Sequence, residues 1–508
     1  MSQVACAADV ARSPNIVYIL ADDMGLGDVS AFNPASAWKT PHIDRLAREG
    51  MRFTDAHSSS AVCTPSRYSI LTGRYCWRTV RKSGAGGGLA PALIEPGRMT
   101  VASLLKQQGY TTAIIGKWHL GLDWVRGEKK AGARKNKNND EELIDYTKPF
   151  GGGPLAHGFD YFLGIGASLD MAPYFWLRND RVDPATLPPH YIGGNESQKL
   201  LQRAGLAGKG FEHGGVLPRL ADEAVSFIEK QDARKPFFLY VPLTAPHTPI
   251  LPAKEFAGST RTTEYGDFCA AVDAVVGQID AALTAGGFDK NTMVVFAADN
   301  GCSPAVDFDE LRAFHHDPNL GRRGSKADIY EGGHRVPLVI RWPGRIAKNS
   351  VSDELVSLGD FLATCAGITG AKLPGEAGED SVSMLPVLTS ETGKPPAPLH
   401  EALVHHSNYG AFAIRKGPWK LVLCADSGGW SEPRHGKAPA GSPPFQLFNL
   451  DADPGEKTNL CAKHPEIVGN LGQLLKKYVI EGRSTPGVPQ KNAGGNNWPE
   501  LAWIKQFK

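Results

Sequence analysis

Four short runs of unbroken apolar character set the fold of this chain: Ile16–Ala21, Thr111–Gly116, Phe237–Pro242 and Met293–Ala298. A strand with one wet face alternates apolar and polar residues. A strand apolar at every position has both faces covered, which is the condition of a parallel strand with helices on either side. Helical spacing lies between the runs, at Ile43–Glu49, Thr100–Gln108, Leu217–Gln231 and Tyr265–Ala285. In the last, Phe268, Val272, Val275, Val276 and Ile279 form a core-facing stripe. Strands alternating with helices predict an α/β fold with a large, mostly parallel central sheet flanked by helices.

With 508 residues the chain exceeds one ordinary core. The reading is a flexible N-terminal segment at 1–14, an α/β domain at 15–388, a Pro-rich polar linker at 389–398, and a smaller C-terminal α+β domain at 399–508. In that last part Glu401–His406, Ala411–Ile414, Trp419–Leu423 and Gln446–Asn449 read as a short antiparallel sheet, and His464–Ile480 as a helix. A net charge of +2 gives no reason to expect nucleic acid or a membrane surface, and no stretch is expected to span a bilayer. Val4-Ala5-Cys6-Ala7-Ala8 is weakly similar to the tail of an export leader, so a periplasmic or secreted location is expected, with a cytoplasmic one left open. Eight cysteines without CxxC pairs form neither a dense disulfide framework nor a zinc ribbon, and leave one or two bridges open.

The segment Cys63-Thr64-Pro65-Ser66-Arg67, followed by Leu71-Thr72-Gly73-Arg74, carries the chemistry. Pro65 suits a first helical turn, Thr64 is read as its cap, and Gly73 as its end. Cys63 then sits at a helix N-terminus, where free N–H groups favour an anion, and Arg67 adds a cationic fork one turn on. By itself the segment also reads as a buried structural cysteine.

Other motifs fall at or just beyond strand ends, where open α/β sheets place ligands. Alone, Asp22-Asp23 reads equally as a helix cap with a solvated acid or as metal ligands, and Asp299-Asn300-Gly301 reads first as a simple turn; together Asp22, Asp23, Asp299 and Asn300 supply four oxygen donors that suit calcium or magnesium better than zinc. In Gly116-Lys117-Trp118-His119-Leu120-Gly121, continued strand geometry would put Lys117 and His119 on one side. His247, in Ala245-Pro246-His247, and Lys326, in Gly324-Ser325-Lys326, are unremarkable alone.

Taken in order, these motifs resemble the type I sulfatases, members of the alkaline-phosphatase-like superfamily, from Asn15 to about Asn459, including Asp451-Ala452-Asp453-Pro454-Gly455-Glu456. The resemblance implies that Cys63 is oxidised to formylglycine (3-oxoalanine) by a formylglycine-generating or anaerobic sulfatase-maturating enzyme. It implies Ca²⁺, with Mg²⁺ as the substitute, on Asp22, Asp23, Asp299 and Asn300. Arg67 and Lys117 would orient the hydrated aldehyde; Lys117, Lys326 and His247 would hold the sulfate. His247, with Lys326, would protonate the leaving alcohol, and His119 would act as the base that restores the aldehyde.

The expected substrate is a sulfated carbohydrate of galactose or N-acetylgalactosamine 6-sulfate type, attacked by exo action, as in the bacterial polysaccharide branch of the family. Asp170, Tyr174 and His405 are candidate contacts to it; packing is the competing reading for each. The basic loop with Arg126, Lys129, Lys130, Arg134, Lys135 and Lys137 reads as a polyanion contact or, more simply, as a solvated surface. The rivals are a phosphonate monoester or phosphodiester hydrolase of the same superfamily and an inactive carbohydrate-binding homologue. The second would need a broken catalytic position, and none is seen.

Overall fold

The computed structural model describes residues 13–127 and 140–507. Residues 1–12, with Cys6, and Lys129, Lys130, Arg134, Lys135 and Lys137 of the basic loop lie outside the described residues. The four apolar runs form the middle of a ten-stranded mixed sheet: β1 (Asn15–Ala21), β2 (Thr111–Lys117), β3 (Phe237–Pro242) and β4 (Thr292–Ala298). They stand in the order β4-β1-β3-β2 and all run parallel. Antiparallel pairs appear on both flanks, Leu338–Arg341 beside β4 and Leu177–Arg178 beside Tyr161–Ile165. Every residue of β1, β3 and β4 is buried, as continuous apolar runs require.

The chain crosses between strands by helices. Glu264–Ala285 packs against Val216–Glu229 and Pro41–Glu49. By length and composition this 22-residue helix is apolar enough to cross a bilayer, contrary to the expectation that no stretch is; two-thirds of its most apolar window is buried in the molecule. The apolar character therefore serves core packing.

A four-stranded antiparallel sheet stands near the C-terminus: Leu403–His406, Phe412–Lys416, Trp419–Val422 and Gln446–Asn449, in that order. Pro465–Glu481 packs on it through Leu471, Leu475 and Val479. Between the two sheets runs a seam of buried ion pairs. Arg415 grips Asp55 with two bonds of 2.7 Å. Lys420 lies 3.0 Å from Glu331 and 2.9 Å from Glu456, and the second oxygen of Glu456 accepts the Glu331 N–H at 2.7 Å. Residues 389–398 carry no helix or strand. The seven described cysteines are all free.

Candidate active site

The C-terminal ends of the parallel strands point to one place. β1 ends at Ala21, and Asp22 and Asp23 follow; β4 ends at Ala298, and Asp299 and Asn300 follow. Backbone bonds knit these ends together, from Asp22 N–H to the Ala245 carbonyl (2.9 Å) and from Asp299 N–H to the Ala21 carbonyl (3.1 Å). Asp23 sits at φ +65°, a left-handed conformation costing roughly 1–3 kcal/mol that is tolerated where surrounding contacts demand it.

The Cys63–Thr72 helix enters the same place with its N-terminus. Here Thr64 is not the cap. Val62 is, with no side-chain bond, and Cys63 is the first helical residue. Thr64 instead donates to the His119 carbonyl (3.0 Å) and accepts from Gly86 N–H (3.0 Å), tying the helix to two loops. Gly73 closes the helix at φ +63°. Arg67, four residues on, is fully buried. It reaches Asp299 with Nε (2.9 Å), Asp22 (3.5 Å) and the Lys117 carbonyl (3.2 Å).

Three carboxylates, two lysines and an arginine thus share a buried volume. Lys117 Nζ donates to Asp22 at 2.6 Å, and Lys326 Nζ donates to Asp23 at 2.6 Å. Burial would push the Asp22 carboxyl up, but Lys117, His247, Arg67 and Lys326 together hold it well below the usual carboxylate range. Asp299 goes the other way: burial, then the Asp22 charge, pushes it up. A cluster that cannot hold all its negative charges alone is one that a cation would relieve. Two oxygens await such a partner. Asp22 Oδ1 and Asn300 Oδ1 are buried and accept no hydrogen bond from the described residues. Asn300 Nδ2 meanwhile donates to Asp23 (2.8 Å), which turns its oxygen away from that bond. The donor set of hard oxygens, joined by the imidazole of His247 alone, fits Ca²⁺ or Mg²⁺ better than zinc.

Cys63 is 2% exposed, and burial pushes its thiol up despite Lys117 and Lys326. An unmodified Cys63 would be a protonated thiol and a weak nucleophile. β2 stops at Lys117, and His119 sits at φ +54°, so strand periodicity does not place it. The turn nevertheless returns the ring to the site. Its Nε2 lies 2.7 Å from the Gly86 carbonyl, which can only accept, so Nε2 carries the proton. Nδ1 is then a lone-pair acceptor without a partner among the described residues. Burial, then Lys117 and Arg67, hold this imidazole far below its ordinary value, so it stays neutral. His247 is fixed by its own Nδ1–H, 2.5 Å from the Thr248 carbonyl, leaving Nε2 towards Asp23 (3.5 Å). Ser168, which sequence reasoning did not single out, stands between Lys117 (3.3 Å) and His247 (3.4 Å).

Cys63, His247 and Lys326 line a cavity of about 480 Å³. Asp170 lines it too, paired with Arg203 at 2.9 Å. Two expected contacts fall elsewhere. Tyr174 is buried in packing, and its hydroxyl donates to the Arg203 carbonyl (2.7 Å), so it supports the wall without facing the cavity. His405 stacks on His334 with centroids 3.8 Å apart, inside the seam between the sheets. Arg126 pairs with Asp140 at the surface. The wall instead includes Arg203, Asn408 and Trp430, which no local sequence pattern marks out.

The family model described as Sulfatase matches residues 14–371. An N-acetylgalactosamine-6-O-sulfatase of Bacteroides thetaiotaomicron is 33% identical over 505 aligned residues, covering 92% of this chain and 93% of that one. Arylsulfatase A of Homo sapiens is 32% identical over 522, covering 97% and 93%. A solved Bacteroides thetaiotaomicron structure, described under the metabolism of multiple glycosaminoglycans, superposes with a TM-score of 0.78 at 31% identity, covering 92% of this chain and 99% of its own.

Proposed function

This chain belongs to the sulfatase family and hydrolyses sulfate esters; from that premise we propose that its substrate is a sulfated carbohydrate of galactose or N-acetylgalactosamine 6-sulfate type, desulfated by exo action at the Cys63 cavity. The observation that carries the reading is the convergence of Cys63, three carboxylates, Arg67, Lys117, Lys326 and two histidines around one buried volume that opens into that cavity. The name of the Bacteroides relative supports the choice of sugar.

The family uses formylglycine and a divalent cation. We assign the first to Cys63 and the second, as calcium, to Asp22, Asp23, Asp299 and Asn300. Formylglycine supplies a hydrated aldehyde as nucleophile, where a protonated cysteine could not serve; the cation supplies charge to offset that of the sulfate. The chain's own groups do the rest. Lys117 and Lys326, each anchored on an aspartate at 2.6 Å, present fixed positive charge to the sulfate oxygens. Arg67 locks Asp299 and Asp22 in place from the helix side. His247 lines the cavity, and in its doubly protonated imidazolium form its Nε2–H passes a proton to the leaving alcohol oxygen and reverts to the neutral Nδ1–H ring, a role its fixed ring orientation supports. His119, neutral and with its Nδ1 lone pair unclaimed among the described residues, is the base of this scheme and accepts the proton that frees the sulfate. Burial of Cys63 excludes bulk water from these transfers.

The test is a peptide mass over Cys63 together with sulfate release from galactose 6-sulfate and N-acetylgalactosamine 6-sulfate, with and without a chelator. Active protein that retains an unmodified thiol, or activity indifferent to thorough cation removal, overturns the assignment. An aryl phosphonate cleaved faster than any sulfate ester would move the substrate class to phosphonates.

A further inference from the structure

We propose that the indole of Trp430 is the wall on which the sugar ring of the substrate stacks; this rests on the reading of the Cys63 cavity as the sulfate-ester site. Trp430 lies in the stretch joining Trp419–Val422 to Gln446–Asn449 of the small sheet, and it lines the cavity that holds Cys63, His247 and Lys326. It is 38% exposed, and among the described large hydrophobic residues left exposed it alone lines that cavity. An exposed indole is ordinary where a loop is loose. This loop is pinned.

The pin is Asp328. Its Oδ1 accepts the N–H groups of Trp430 (2.7 Å) and Ser431 (3.0 Å), and its Oδ2 accepts from the Ser431 hydroxyl and from Ser325 N–H (2.8 Å). Asp328 is wholly buried, so these bonds are shielded from water. Gly429 is needed for the approach, since a Cβ there would lie 2.4 Å from Asp328 Oδ1 and 2.5 Å from the Ala327 carbonyl. The same short segment therefore offers Lys326 to the sulfate end and, two residues on, fixes Trp430 at the wall. Asn408 joins them: its N–H donates to the Ala327 carbonyl (2.9 Å), and it too lines the cavity.

This is the layout a saccharide needs. A pyranose has a face of C–H groups that a flat apolar ring can take out of water, and an edge of hydroxyls that needs polar partners. Trp430 supplies the first. Asn408, Glu196, Gln198 and Arg203, all around the same cavity, supply the second. Inorganic sulfate, having no ring, would reach only the lysines and the buried end.

The experiment compares wild type, Trp430→Ala and Trp430→Phe on N-acetylgalactosamine 6-sulfate and galactose 6-sulfate, with inhibition by inorganic sulfate measured alongside. Expected is a KM raised about tenfold or more in Trp430→Ala, kcat within about threefold, recovery in Trp430→Phe, and an unchanged inhibition constant for sulfate. A KM indifferent to Trp430→Ala overturns the inference. So does a sulfate inhibition constant that rises in step with KM, which would mean that the Lys326 segment had collapsed. A wild type silent on both sugars overturns this inference together with the substrate proposed above, whereas an active wild type whose KM ignores Trp430 overturns this inference alone.

Discussion

Replacing Lys117 with Met should cost stability in a way that depends on calcium. Lys117 is 0% exposed, and its Nζ lies 2.6 Å from the Asp22 carboxylate. At an effective dielectric of about 20 the gross attraction at that separation is about 6 kcal/mol. Part of it is offset by the lysine desolvation that the variant no longer suffers, so breaking the buried pair should cost about 3–5 kcal/mol. Unfolding entropy for 508 residues is about 1.1 kcal/mol per kelvin, which converts the loss to roughly 3–5 °C in Tm. A cation on the unpartnered Asp22 Oδ1 would compensate the stranded charge and leave mainly a lost hydrogen bond, about 1–2 kcal/mol or 1–2 °C. Differential scanning calorimetry of both proteins, chelated and in millimolar calcium, measures the four values. An equal deficit in the two conditions would refute the shared role of Asp22.

Cys63→Ser is nearly isosteric at a residue 2% exposed, so Tm should hold while kcat falls by about 10³-fold or more; undiminished sulfate release would exclude the formylglycine scheme. Burial pulls the His406 imidazole down to about 3, so below an unfolded value near 6.5 only the unfolded chain takes up its proton, and stability is lost as pH falls. Wild type should therefore lose about 2 kcal/mol more than His406→Leu between pH 7.5 and 5, read from urea midpoints; parallel curves would contradict this.

The middle of the fold was legible because it is written locally. A strand buried on both faces must be apolar throughout, and β1, β3 and β4 are. The acids after β1 and β4 were legible for the same reason, since they follow directly from where strands stop. What local pattern does not carry is long-range partnership. Thr64 looked like a cap because nothing nearby in sequence shows that the His119 carbonyl and Gly86 N–H will claim its hydroxyl. His119 looked like a strand residue, but a left-handed turn delivers it. Tyr174 and His405 have the composition of sugar contacts, yet one hydroxyl is taken by the Arg203 carbonyl and one ring by His334. Trp430 passed unnoticed because its importance rests on Asp328, 102 positions earlier.

The ion-pair seam between the sheets makes the chain hard to take apart. Arg415 with Asp55, and Lys420 with Glu331, fasten one segment to another across more than 80 positions of chain without any covalent link, and Glu456 braces Lys420 from the C-terminal side. A protease nick in residues 389–398 would accordingly leave a particle that elutes intact from a sizing column and separates into two bands only in denaturant.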